Sequence, residues 1–350
     1  MSKEIKLFVI LSVLLFCKIT FGADSKDIIV AIIDTGLDFN NSVLSQNLWT
    51  NPGESGLDSH GADKAQNGID DDGNGFIDDV HGWDFVKHKP LAQDHHGHGS
   101  HIAGLVLSQI KKQSVGPKVK LMILKYYDQS FLSTDTLGHT IKAFKYATQM
   151  GAHIINYSGG GAQANGSEYL ALKAANEKGL LIAAAAGNDG RDLAQGKFFP
   201  ANYPLPNILS VTAVDSTYEL LPTSNFSSQL VNLAAPGKNQ ISWLPGSHLG
   251  PMTGTSQATA LATGAAASFL IQRPEYKFHP VELIRYLKAG ARSENSLLGK
   301  VQNADFLDSE LPAYLRDSGE SPFGISLVES MTSEAGNLQN SSFQSFGDKN

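Results

Sequence analysis

The stretch Asp27-Ile28-Ile29-Val30-Ala31-Ile32-Ile33-Asp34-Thr35-Gly36 opens on an uninterrupted apolar, β-branched run and closes on a carboxylate followed by a turn. A strand with one wet face alternates apolar and polar residues, so an unbroken run of this kind suits a strand covered on both faces, as in a parallel sheet. Comparable runs lie within residues 119–124, 153–156, 180–185 and 209–214. Between them the period changes. Ile102, Leu105, Val106 and Ile110 share one helical face, as do Leu137, Ile141 and Phe144 before a stop at Gly151. Ser167-Glu168 can open another helix that ends at Gly179. Residues 256–271, rich in Ala, Thr and Gly and free of charge, predict a helix buried on nearly all sides, with Ser256 at its N-terminus and a halt at Arg273-Pro274. Pro280 in a first turn, then Val281, Leu283, Ile284 and Leu287, marks a last amphipathic helix closed by Gly290. Strand alternating with helix predicts the α/β class with a mostly parallel sheet.

At 350 residues and 41% hydrophobic content, the chain can bury one large core without splitting into several domains. Residues 1–23 read as a secretory signal peptide: Lys3 and Lys6, an apolar run over 7–17, then Gly22 and Ala23 for cleavage. That run is short for a bilayer span, so no stable membrane insertion is expected after cleavage, and the protein is expected to be secreted, extracellular or periplasmic. A single folded domain is expected over 24–312. A flexible Ser/Asn/Gly-rich tail without chemistry of its own is expected over 313–350. The only cysteine, Cys17, falls inside the signal, which leaves no disulfide framework, and Phe16 before it is a poor match to a lipoprotein site. The formal charge of −7 becomes more acidic once the signal's lysines go, and this argues against nucleic acid as a partner.

Three short segments carry the chemistry: Ile33-Asp34-Thr35-Gly36, His98-Gly99-Ser100-His101-Ile102-Ala103-Gly104 and Gly254-Thr255-Ser256. They supply a carboxylate, an imidazole and a hydroxyl in the order Asp, His, Ser. A serine hydroxyl hardly ionises at neutral pH and attacks an amide only beside a base that a third group orients. With Asn156-Tyr157-Ser158-Gly159-Gly160, Ala185-Ala186-Gly187-Asn188, Phe199-Pro200-Ala201, Ser224-Asn225-Phe226 and Ala234-Ala235-Pro236-Gly237 following in order, the chain resembles the subtilisin-like serine proteases, the subtilases, over about residues 28–311. The resemblance implies a three-layer fold with a mostly parallel central sheet flanked by helices. It implies a monomeric endopeptidase acting on protein or peptide substrates through an acyl-enzyme.

By that resemblance Asp34, His98 and Ser256 form the triad, and the Asn188 amide and the Ser256 N–H hold the oxyanion. Ser158, Gly159 and Gly160 would pair with the extended substrate and line one wall of the pocket for the side chain before the scissile bond. Ala185, Ala186 and Gly187 would form the other wall, with Lys197-Phe198 near its floor. A bulky Phe198 there predicts a shallow pocket. Ala260 and Ser100 depart from the family's usual proline and threonine, and neither change removes a catalytic group. Many subtilases carry a propeptide that assists folding. None is expected here, because the first core strand begins a few residues after the expected cleavage site.

The interval between Asp34 and His98 holds Asn67-Gly68-Ile69-Asp70-Asp71-Asp72-Gly73-Asn74-Gly75-Phe76-Ile77-Asp78-Asp79. Asp70, Asp72, Asn74 and Asp78 fall at positions one, three, five and nine of an EF-hand-like loop, with Gly75 at the sharp turn and Phe76 offering its carbonyl. Hard oxygen ligands at this spacing suit a structural Ca²⁺; His81 stands at position twelve, where a bidentate Glu is usual. A solvated acidic turn is the plainer reading. Asp94-His95-His96-Gly97-His98 with His101 invites a zinc hydrolase reading, against which no His-Glu-x-x-His helix is present, and His95, His96 and His101 read as packing or surface residues. A catalytically silent subtilase-fold protein that binds peptides is the alternative function.

Overall fold

A computed structural model describes residues 27–110, 117–130 and 135–307; the expected signal peptide and tail lie outside them. The strands are β1 (Ile28–Asp34), β2 (Gly82–Asp84), β3 (Val119–Lys125), β4 (Ile154–Tyr157), β5 (Leu181–Ala185), β6 (Ile208–Val214), β7 (Leu233–Pro236), β8 (Gln240–Leu244), β9 (His248–Met252), β10 (Arg292–Ser293) and β11 (Asp305–Phe306). The helices are α1 (Ser42–Ser45), α2 (His98–Ser108), α3 (Thr136–Gln149), α4 (Gly166–Glu177), α5 (Thr255–Gln272) and α6 (Pro280–Ala289). Nine strands form one sheet in the order β10-β11-β7-β6-β5-β4-β1-β3-β2, parallel except at the β10–β11 edge. β8 and β9 pair separately as an antiparallel hairpin.

The sheet divides the core by the strand's period of two. Ile28, Val30 and Ile32 of β1 pack with α2, α5 and α6, whereas Ile29, Ala31 and Ile33 pack with α3 and α4. Both faces are covered, which is why β1 is apolar throughout and buried at all seven positions. The expected three-layer α/β architecture is the one observed. α5 is buried from Thr255 to Ile271, and Gly264 makes its closest approach: an added Cβ would stand 2.5 Å from the Val106 carbonyl oxygen of α2.

Two expectations change. Leu137 is 41% exposed and belongs to no core face; α3 instead buries His139, Thr140, Ala143, Phe144 and Ala147, because the helix phase follows the sheet contact and not the first apolar residue. α4 is opened by Asn165, whose side chain accepts from the Ser167 and Glu168 N–H groups, so Ser167 lies inside the helix. The short strands β2 and β8 to β11 have no unbroken apolar run of their own and take their conformation from their neighbours, while β7 has a short one, Leu233-Ala234-Ala235. No described helix is long and apolar enough to cross a membrane.

Candidate active site

Alternation along β1 decides where Asp34 points. Ile28, Val30 and Ile32 face the α2–α5 layer, so Asp34, two residues on, faces it too. Its Oδ1 accepts from the Thr35 N–H at 2.8 Å and from His98 Nδ1 at 2.7 Å. Asp34 is 3% exposed, while the His98 side chain keeps 23% of its surface open. Burial acts to lower the His98 pKa, but the charge and hydrogen bond of Asp34, with Asp94 adding charge from farther away, hold it above the ordinary histidine value.

Asp94 sets the start of α2. Gly97, the residue before the helix, has no side chain to accept the free N–H groups there, and Asp94 does so from three residues upstream. Its Oδ1 accepts from the His96 and Gly97 N–H groups and from Thr35 Oγ1, and its Oδ2 from the Ser100 N–H and Ser100 Oγ, all at 2.7–2.9 Å. Thr35 Oγ1 in turn accepts from the Gly99 N–H at 2.8 Å, which ties the turn after β1 to the helix that carries His98. Burial works to raise the Asp94 pKa, and the donors from Ser100, Gly97 and His96 outweigh it and lower it.

Ser256 reaches the same place from α5. In the parallel register Ile33 stands opposite Tyr157, so Asp34 and Ser158 are the next residues out on neighbouring strands, roughly 5 Å apart. Ser256 Oγ donates to the Ser158 carbonyl at 3.3 Å. The Asp34–His98 half of the expected relay is made, whereas the His98–Ser256 half is open, because the hydroxyl's one bond goes to Ser158. Rotation about χ1 redirects that hydroxyl, and such bonds often tighten only in the substrate complex.

Asn188 follows β5. Its Oδ1 accepts from the Thr255 N–H at 2.9 Å and from Thr255 Oγ1 at 3.1 Å, which leaves its Nδ2 free to donate. The Ser256 N–H lies in the first turn of α5 and has no partner within the helix. Gly254 precedes them at φ +154°, a conformation that side chains disfavour, and an added Cβ would stand 3.2 Å from Asn188 Oδ1. Ser158, Gly159 and Gly160 leave β4, and beside them Ala185 ends β5 and Ala186 and Gly187 leave it, with the Gly187 N–H bonded to Thr255 Oγ1 at 3.2 Å. The carboxyl ends of adjacent parallel strands thus bring together an acid, a ring, a hydroxyl and two N–H donors, the usual position for a site in an open α/β sheet.

In the acidic loop, Asp70 accepts from the Asn74 and Gly75 N–H groups, Asp72 from the Asn74 N–H, Asn74 Oδ1 from the Phe76 N–H, and Asp78 from the Gly68 N–H. Carboxylate oxygens of Asp70, Asp72 and Glu54 lie within 4.8 Å of one another; Asp78 is not in that group. Glu54 is fully buried, its Oε1 accepts from the Asp71 and Asp72 N–H groups, and its Oε2 has no partner. Its pKa is raised, first by burial and further by Asp79 and Asp72. His81 is turned away from position twelve: its Nδ1 donates to the Trp49 carbonyl at 2.7 Å. His95 and His96 are exposed, while His101 is buried with Nε2 donating to the Gln240 and Gly250 carbonyls at 2.9 and 3.2 Å.

Sequence reasoning missed Glu54, the organising role of Asp94, and Thr255 as the group that fixes Asn188. An Asp just before a run of helix-forming residues was a signal for the second. Glu54 lies outside the loop motif and carried none.

Residues 25–306 match the family model described as "Subtilase family". A thermostable alkaline protease of Halalkalibacterium halodurans is 31% identical over 198 residues, 56% of this chain and 53% of that protein. Subtilisin-like protease 1 of Plasmodium falciparum is 28% identical over 302 residues, 80% of this chain and 42% of that protein. The chain thus spans about half the length of these curated relatives. Among solved structures, a cold adapted subtilisin-like serine proteinase superposes with a TM-score of 0.59 at 22% identity, covering 83% of this chain and 92% of that one, a likeness of fold.

Proposed function

This chain belongs to the subtilase family, and from that premise we propose that it is a secreted serine endopeptidase hydrolysing peptide bonds through an acyl-enzyme. Ser256 Oγ attacks the scissile carbonyl carbon and passes its proton to His98 Nε2, while Asp34, bonded to Nδ1, holds the ring's orientation and stabilises the imidazolium. The negative carbonyl oxygen is met by Asn188 Nδ2 and the Ser256 N–H; loss of one such donor costs about 10²–10³ in kcat, a range measured in subtilisin and carried over here. Collapse breaks the C–N bond, and His98 returns the proton to the departing amine. A water then attacks the acyl-serine, gives its proton to His98, and leaves a carboxylic acid and the free hydroxyl.

The observation that carries this reading is the 2.7 Å Asp34–His98 bond beside a serine whose hydroxyl reaches the neighbouring strand end. The bond from Ser256 to Ser158 is the one observation that favours the silent peptide-binding alternative. A fluorophosphonate probe decides between them: the proposal requires labelling of the wild-type protein at Ser256 and none of Ser256→Ala. An unlabelled, folded wild-type protein would leave the silent reading standing.

The acidic loop is proposed to hold a structural Ca²⁺. Glu54 joins Asp70 and Asp72 in this reading, with Asn74, the Phe76 carbonyl and Asp78 as the remaining ligands expected from the loop. The all-oxygen donor set and the unpartnered, buried Glu54 Oε2 fit a hard cation. When bound, the ion supplies charge neutralisation and cross-links residue 54 to the loop; it takes no part in bond breaking.

A further inference from the structure

Two loops leave the sheet side by side next to Ser256, residues 158–160 after β4 and 186–188 after β5, from strands in register with Tyr157 opposite Ala184. A peptide carbonyl that meets Ser256 Oγ with its oxygen at Asn188 Nδ2 lies across the gap between these loops. The side chain of the residue bearing that carbonyl has this gap to enter. At the facing positions neither loop carries a side chain, since one presents Gly160 and the other Gly187. The ring of Phe198 stands there instead. A Cβ added at Gly160 would come within 2.4 Å of Phe198 Cε1, 2.5 Å of the Phe199 carbonyl oxygen and 2.7 Å of Phe198 Cζ, and one added at Gly187 within 2.5 Å of Asn225 Nδ2 and 3.0 Å of Phe198 Cδ1 and Cδ2. Ordinary Cβ contacts begin near 3.4 Å, so the ring already packs against both walls and occupies the space between them.

The ring is held in place. The Phe198 N–H donates to Asn202 Oδ1 at 3.1 Å, and the Asn202 N–H returns a bond to the Phe198 carbonyl at 3.0 Å. The next residue, Phe199, exchanges two backbone hydrogen bonds with Gly161, at 2.8 and 2.9 Å. Behind it, Phe198 packs on the buried cluster that contains Ala186, Leu193 and Val231. A substrate side chain would have to displace a ring whose backbone is fixed by these bonds and which rests on that cluster.

We propose that Phe198 is the specificity-determining residue of this cleft, closing it so that only glycine, alanine or serine is accepted on the acyl side of the scissile bond. This rests on the peptidase reading above. Two internally quenched peptides that differ only in that residue, Ala in one and Phe in the other, test it. The expected kcat/KM ratio of Ala to Phe in the wild-type protein is about 10² or more. Phe198→Ala should raise the Phe peptide relative to the Ala peptide by at least about tenfold, and Phe198→Leu, which keeps the core contact, should raise a Leu peptide in the same way.

Equal or faster cleavage of the Phe peptide by the wild-type protein overturns the assignment. So does a wild-type ratio in either variant once a cooperative thermal transition shows that it is folded. Absence of both hydrolysis and fluorophosphonate labelling would instead defeat the peptidase reading. The cleft is then read in Ser256→Ala by equilibrium binding of product peptides ending in Ala or Phe. Weaker binding of the Phe peptide that Phe198→Leu relieves supports the assignment, and equal binding overturns it.

Discussion

Asp94→Asn isolates the residue that builds the start of α2 without touching the reacting groups. Five donors converge on a carboxylate that is 1% exposed. The amide keeps one acceptor oxygen, enough for Thr35 Oγ1 and the His96 and Gly97 N–H groups, but its NH₂ then faces the Ser100 N–H, and two donors meet in a buried space. The Ser100 hydroxyl can turn and accept. The Ser100 N–H cannot, so one charge-assisted bond worth about 1.5–3 kcal/mol is lost outright. The three bonds to the remaining oxygen each lose the part of their strength that came from the charge, about half of each. Together these give a destabilisation of about 4–7 kcal/mol, a large fraction of a domain's usual 5–15 kcal/mol.

Urea unfolding in a Ser256→Ala background, which prevents self-digestion, measures that loss. In the active background the pH profile of kcat/KM supplies a second readout. His98 must be neutral to act as base, so activity rises with pH through its pKa, which lies above the ordinary value because the Asp34 and Asp94 charges outweigh burial. Removing the Asp94 charge should move that acidic limb to lower pH. A stability loss under about 1 kcal/mol, or an acidic limb that stays in place, would refute the reasoning.

His101 should make the protein labile to acid. Burial lowers its pKa from 6.5 to about 4, and a charged ring would carry a proton on Nδ1, which is buried without an acceptor. In the unfolded chain the residue binds its proton near pH 6.5 and in the folded chain only near pH 4, so this stability is whole above the first value and is lost as pH falls toward the second. The loss amounts to about 3 kcal/mol, and His101→Gln should flatten the fall; an equally steep curve in the variant would count against it. For the acidic loop, a chelator should lower the melting temperature by about 5–10 °C if calcium is held at roughly a hundredfold above its Kd. Glu54→Gln should shrink that shift, and a melting curve indifferent to the chelator in the wild-type protein would speak against the ion.

Much of the fold was legible because burial on both faces leaves a local mark. The unbroken run at residues 28–33 and the charge-free helix from Ser256 read correctly, since each element's own side chains record how much of it is covered. Leu137 misled because periodicity gives a face but not its phase against a partner. β8 to β11 went unread because their pairing comes from neighbours and not from an apolar run, and the run in β7 is only three residues long. At the site, the residue types in Asp34, His98, Ser256 and Asn188 were visible as motifs. Their supports were not, because one of the five bonds to Asp94 comes from Thr35, 59 residues away, and Thr255 fixes Asn188 across 67.

By itself the amino-acid sequence determined the longer buried strands, the helices and which chemical groups stand at their ends, since period, charge and glycine placement act over a few residues. Only the tertiary structure decided that Asp34 turns toward α2, that Glu54 closes on a loop it does not belong to, and that Thr255 fixes Asn188. Those outcomes depend on strand register and on which layer each face meets. Register and layering are settled by packing the whole sheet at once, and no short stretch of chain contains them.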